Sequence, residues 1–164
     1  MPLPASTAAV TRQTLTQEKN LSGKIGFGRT RPLVSQVVGT FTWLPEPGTT
    51  VGLGQQLFRV DDLPVLELWG TLPVYRAMFE GMSGADVAQL NVSLRWLGVL
   101  RVDPKDTFTS ATSAAVKRWQ KRVGLAPTGV VDLGRVVFTS APVRVASVHP
   151  QLGDAASAGS NAIE

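Results

Sequence analysis

The chain has 164 residues, 43% hydrophobic and 17% charged, which suits one domain or two small ones with a packed core and argues against wholesale disorder. A net charge of +4 favours anionic surroundings such as nucleic acid, phospholipid or anionic wall polymer, but the basic residues spread over both halves with one local cluster, which disfavours nucleic acid. With no cysteine and a single histidine, His149, disulfides, thiolate or multi-histidine metal sites and cysteine nucleophiles are excluded, and neither metal nor cofactor is expected.

Residues 1–9 read as a flexible lead-in without the charged segment and apolar core of a signal peptide, and no apolar run approaches transmembrane length. If the protein works outside the membrane, its export or anchor segment is expected to lie beyond this chain. A first β arm is expected over 10–76. Its start is weak, broken by Gly23, Gly26, Gly28 and Pro32. A strand over 40–44, a Pro45-Glu46-Pro47-Gly48 turn and an alternating strand over 56–60 follow. Residues 63–75 read as brief strands or an extended crossing, interrupted by Pro64, Gly70 and Pro73.

A helical domain is expected over 80–138. Ser83 is the expected N-cap, with Asp86 supporting the first turn. Val87, Leu90, Leu94 and Leu97 form one apolar face, and Gly98 closes the helix. After a polar loop over 99–108, Thr109 or Ser110 caps a second helix with the stripe Thr112, Val116, Trp119 and Val123, stopped by Gly124. A turn at 127–129 leads to a short third element over about 132–138. A second β arm, expected to be truncated, covers 139–164, with Val143, Val145 and Val148 marking strands.

The two arms share a pattern. Gly48, Val51 and Gly54 are spaced as Gly153, Ala156 and Gly159 are, and each set follows an alternating run. Such a repeat predicts two duplicated β units that pair with each other, with the helices inserted between them at neighbouring points of a surface loop.

The first arm, through Gly39, Gly48, Val51, Gly54, Gln55, Leu57 and Asp61, and the second, through Gly153 and Gly159, resemble the half-motifs of biotinyl/lipoyl-like barrel-sandwich domains in periplasmic adaptor (membrane fusion) proteins of export pumps. The helices stand where a lipoyl hairpin would carry its lysine, and no such Asp-Lys pair is present, so lipoyl or biotin attachment is not implied. The helical segment resembles the three-helix peptidoglycan-binding domain. The match falls on Gly84, Asp86, Val87, Leu90, Leu94, Leu97, Gly98, Phe108, Thr112, Ala115, Val116, Trp119, Gln120, Gly124 and Leu125. The segment before the third helix departs from that family's pattern.

Together the resemblances imply an α+β fold, a split β barrel-sandwich with an inserted three-helix bundle. They imply a non-catalytic, extracytoplasmic adaptor of actinobacterial type that binds peptidoglycan or another anionic wall polymer and touches an ABC-type transporter permease. Two other readings stay open: the targeting fragment of a peptidoglycan hydrolase, and a protein–protein assembly module that does not bind wall.

Trp119 reads as core. Trp96 lies off the Leu90/Leu94/Leu97 stripe at about 100° per residue. It could pack against the β host or offer a flat apolar face to a sugar ring or stem peptide. Lys117, Arg118, Lys121 and Arg122 form the outer face of the second helix, either simply solvated or capturing carboxylates or phosphates, with Arg118 best suited to bidentate binding. Trp43 and Trp69 read as core of the β host, and Asp61 and Asp62 as strand-end polar residues. The Gly-rich run at 23–28 lacks phosphate-loop spacing, 81–84 is no nucleophile elbow, and the sequons at Asn20 and Asn91 carry no weight.

Overall fold

The computed structural model describes residue 9, residues 11–19 and residues 30–164. Most of the lead-in and the glycine-rich run at 23–28 lie outside the described residues. The elements in order are β1 (Leu33–Val34), β2 (Gly39–Trp43), β3 (Thr50–Val51), β4 (Gln56–Val60), β5 (Leu63–Trp69), α1 (Ala85–Trp96), α2 (Ser110–Arg122), β6 (Val136–Thr139), β7 (Val143–Arg144), β8 (Ala155–Ala156) and β9 (Asn161–Ile163). The fold is mixed α+β: two helices against a curled β sheet.

The main sheet has the order β6-β5-β4-β2-β8, flanked by the pairs β1-β9 and β3-β7. The hairpin between β4 and β5 turns at Asp61 and Asp62, with φ of 52° and 59°. Two successive left-handed residues are what a two-residue hairpin loop requires to match strand twist. The Asp61 carboxylate reaches back to accept the Thr40 N–H at 2.8 Å. It occupies the space a side chain at position 39 would need, which is why Gly39 stands there. These two residues are thus the turn itself.

The repeat is reciprocal in the structure. A two-residue strand of each arm pairs with a strand of the other: β3 with β7, and β8 with β2. The backbone bonds match in kind. Gly48 N–H donates to Val145 O and Gly153 N–H to Phe41 O; Val145 N–H donates to Thr49 O and Phe41 N–H to Asp154 O. The turns match as well, with Gln55 N–H on Gly52 O and Ser160 N–H on Ser157 O. Between the arms lies a core of Phe41, Val51, Leu57, Phe58, Val60, Val65, Val145, Ala156, Ala162 and Ile163.

The helices are built into this sheet more deeply than an insertion in a surface loop. β5 and β6 run parallel, Leu66 opposite Val136 and Trp69 opposite Thr139, so the chain leaves one end of β5 and returns at the other. Parallel pairing demands such a crossover, and α1 and α2 supply it. Leu66, Leu68, Val136 and Phe138 turn toward the helices and join Val87, Leu90, Leu94, Phe108, Val116 and Trp119 in one cluster. Val65 and Val137 face the other core. Residues 63–69 therefore form one continuous strand instead of brief pieces. A strand covered on both faces needs an unbroken apolar run, and its alternation disappears.

Two local expectations are corrected. The helical module has two helices, not three: the expected third element is the strand β6. Val136-Val137-Phe138-Thr139 is rich in β-branched residues, and its alternate side chains go to opposite cores, which fits a period of two. The N-cap of α1 is Gly84, without a side-chain cap, rather than Ser83. Ser83 instead bridges to Thr107. Thr109 caps α2 as expected, in a reciprocal capping box with Thr112.

Candidate functional site

α1 presents Gln89, Ser93 and Trp96, at i, i+4 and i+7, to the chain that leaves β5. The Ser93 hydroxyl accepts from Trp69 N–H at 3.1 Å and donates to Trp69 O at 3.0 Å. Gln89 Oε1 accepts from the N–H groups of Thr71 and Leu72, and its Nε2 donates to Leu72 O. These clamps fix Trp69 beneath Trp96. The two rings lie 6.2 Å apart and tilted by 57°. Trp96 nevertheless remains 69% exposed. One side of its ring leans on the β unit and the rest faces solvent. Leu72 and Val92 extend the exposed apolar surface from the same segment and helix.

The four basic residues of α2 separate into different jobs. Arg118 Nη2 donates to Val99 O at 2.8 Å, and Arg122 Nη1 to Leu97 O at 3.1 Å. Both guanidinium groups satisfy carbonyls at and just beyond the end of α1, where cations are also favoured by the helix dipole. Arg122 thereby comes to the same end of α1 as Trp96. The Lys117 stem lies against Gly129 on the other flank of α2. Lys121 is exposed and makes no ion pair among the described residues. The set is not one converging patch.

Two concave regions border the module. A cavity of about 130 Å³ lies among Trp119, Leu125, Val131, Val136 and Arg135. Gln120 there is fully engaged with Thr128, Gly129 and Val130. A groove of about 490 Å³ lies between α1, the 99–109 loop and the start of α2. Asn91 stands in its wall, 2% exposed.

Two carboxyl groups depart from their ordinary behaviour. The Arg76 guanidinium holds Asp86 below the usual carboxylate range through paired hydrogen bonds of 2.6 and 2.9 Å. This ties the segment before α1 to its first turn, so Asp86 is structural, and its partner Arg76 was not legible in the sequence. Burial pushes Glu67 on β5 up, against a hydrogen bond from the Thr139 hydroxyl. Among the described residues no three His, Asp or Glu gather as a metal site would require. No helix there is long and apolar enough to cross a membrane.

No curated protein and no solved structure matches the chain. Residues 83–134 match the family model of the peptidoglycan binding domain, a span that holds both helices, the groove and Trp96 and stops just short of β6. That match supports a peptidoglycan-binding domain over those residues, about a third of the chain.

Proposed function

We propose that the chain is a non-catalytic wall-binding module in which Trp96 is the contact platform. One observation carries the reading: a tryptophan 69% exposed, propped on a second tryptophan, inside the segment that matches the peptidoglycan-binding family. A supported aromatic face suits the apolar face of a sugar ring or a peptide backbone without paying much ordering entropy. Arg122, held at the same end of α1, and Lys121 further along add charge for carboxylate or phosphate groups; Arg118 and Lys117 stand further from the platform.

The test is retention of the purified chain on peptidoglycan sacculi. Wild type is retained at low salt, and Trp96→Ala loses affinity roughly five- to tenfold, the scale of one aromatic contact. Undiminished retention of the variant would sink the platform role; no retention of wild type at low salt would sink wall binding.

The whole protein is read as an extracytoplasmic adaptor of an export system with an ABC-type permease as partner. Support comes from the reciprocal pairing of the two arms, as expected of lipoyl-like halves, with the module between them. A transporter gene beside this one supports that reading. A hydrolase domain in the same reading frame overturns it in favour of a hydrolase targeting fragment.

A further inference from the structure

We infer that the groove between α1, the 99–109 loop and the N-terminus of α2 binds a short peptide ending in a free carboxylate. The inference rests on the wall-binding reading and names the part of the polymer taken there, the peptide stem.

Three features converge on the groove. The first is the start of α2, a helix of 13 residues. Its capping box uses the Thr109 hydroxyl to accept the Thr112 N–H, which leaves the N–H groups of Ser110 and Ala111 without an acceptor inside the helix. Helix ends of this kind favour carboxylates. The second is Asn91. Its Nδ2 donates to Lys105 O and Thr107 O, which fixes the amide's orientation, and its buried Oδ1 has no partner. A buried acceptor left open is costly and calls for a donor. The third is the wall and rim. Leu100 and Val102 are apolar, while Lys105 and Asp103 carry opposite charges.

One ligand class answers all three. The carboxylate of a terminal residue takes the two N–H groups, and a peptide N–H takes Asn91 Oδ1. A small side chain such as that of alanine lies on Leu100 and Val102. A phosphate polymer offers no N–H to Asn91.

The test is an NMR titration of the full chain with N-acetyl-D-alanyl-D-alanine, as the free acid and as the C-terminal amide. The free acid is expected to shift the Ser110, Ala111 and Asn91 side-chain amide signals saturably, with the amide roughly tenfold weaker, the loss of one charge-assisted contact. Ser110→Pro serves as the folded variant. Proline is favoured at the first helical position, and Thr109 is already extended at φ −94° and ψ 174°, as a residue before proline must be. It removes one donor and is expected to weaken the free acid to a similar degree. Equal binding of acid and amide, or an unaffected Ser110→Pro variant, overturns the proposal. Sacculi retaining wild type while the peptide moves no signal overturns the groove and leaves wall binding standing. Peptide shifts without sacculus retention leave the groove and overturn wall binding.

Discussion

In the β unit the backbone does most of the holding; in the helical module side chains do. The arms grip each other through matched N–H···O bonds and glycine turns around two-residue strands, with few polar side chains involved. The helices are tied by side chains reaching for backbone: Ser93 and Gln89 to the end of β5, Asn91 to the loop, Arg118 and Arg122 to the end of α1. A helix satisfies its own backbone and leaves side chains free for such work, whereas a sheet spends its backbone on its neighbours. The module can therefore vary its surface chemistry residue by residue, while the arms tolerate change only where the ladder and turns survive.

The sharpest way to break this contrast is at the strand both halves share. Leu68 is fully buried on β5 and faces the helices. Leu68→Ala is expected to cost about 2–5 kcal/mol. Because β5 walls both cores, heat or urea should unfold the variant in one transition, with helical and aromatic signals lost together. Two separate transitions would mean that the halves are thermodynamically independent.

A smaller effect, of opposite sign in the two regions, concerns pH. Asp86 in the module has a lowered folded pKa, so its stabilisation is full above its unfolded value near 4 and is lost as pH falls through the folded value. Glu67 at the joint is raised by burial, so its effect runs the other way. Stability is greatest below the ordinary carboxyl range and declines as pH rises from about 4.3 to the raised value. Urea midpoints against pH should show the acid-side slope flattened in Asp86→Asn and the decline above it flattened in Glu67→Gln. Arg76→Gln, which strips Asp86 of its ion pair, is expected to lower the urea midpoint at neutral pH and to flatten the same acid-side slope.

The smallest effect separates the two arms. Gly54 and Gly159 close equivalent turns, with φ of 77° and 88°. A side chain at 159 meets open space, so Gly159→Ala carries only the left-handed backbone penalty, about 1–2 kcal/mol. At 54 the new methyl would sit 2.7 Å from Leu97 Cδ2 at the end of α1. Gly54→Ala should therefore cost a few tenths of a kcal/mol more, since Leu97 has a flexible side chain that can move aside. Equal losses in thermal scans would mean that this contact does not couple turn to helix.

What could be read from sequence was whatever local pattern decides. The strand at 56–60 emerged with those bounds, the helices followed their apolar spacing, and the glycine repeat announced the paired arms. What escaped depends on distant partners. β5 loses its alternation because both faces are buried, and β6 reads only as a short third element, which the resemblance makes a helix, because its four residues show their period only once paired with β5. In the candidate site the exposure of Trp96 was legible from its angle on the helix, but its seat on Trp69 was not. The division of the basic face, with Arg118 and Arg122 turned to carbonyls, and the orphaned oxygen of Asn91 arise from chain segments brought together only by folding.

The parallel pairing of β5 and β6 has a mechanical side. A hairpin pulled at its open end unzips one hydrogen bond at a time. Here the first arm joins β5 at its N-terminal end and the second arm leaves β6 at its C-terminal end, so a pull that draws the arms apart along the strand direction drives β5 and β6 past each other. The ladder from Leu66–Val136 to Trp69–Thr139 then resists in shear, all its bonds loaded at once.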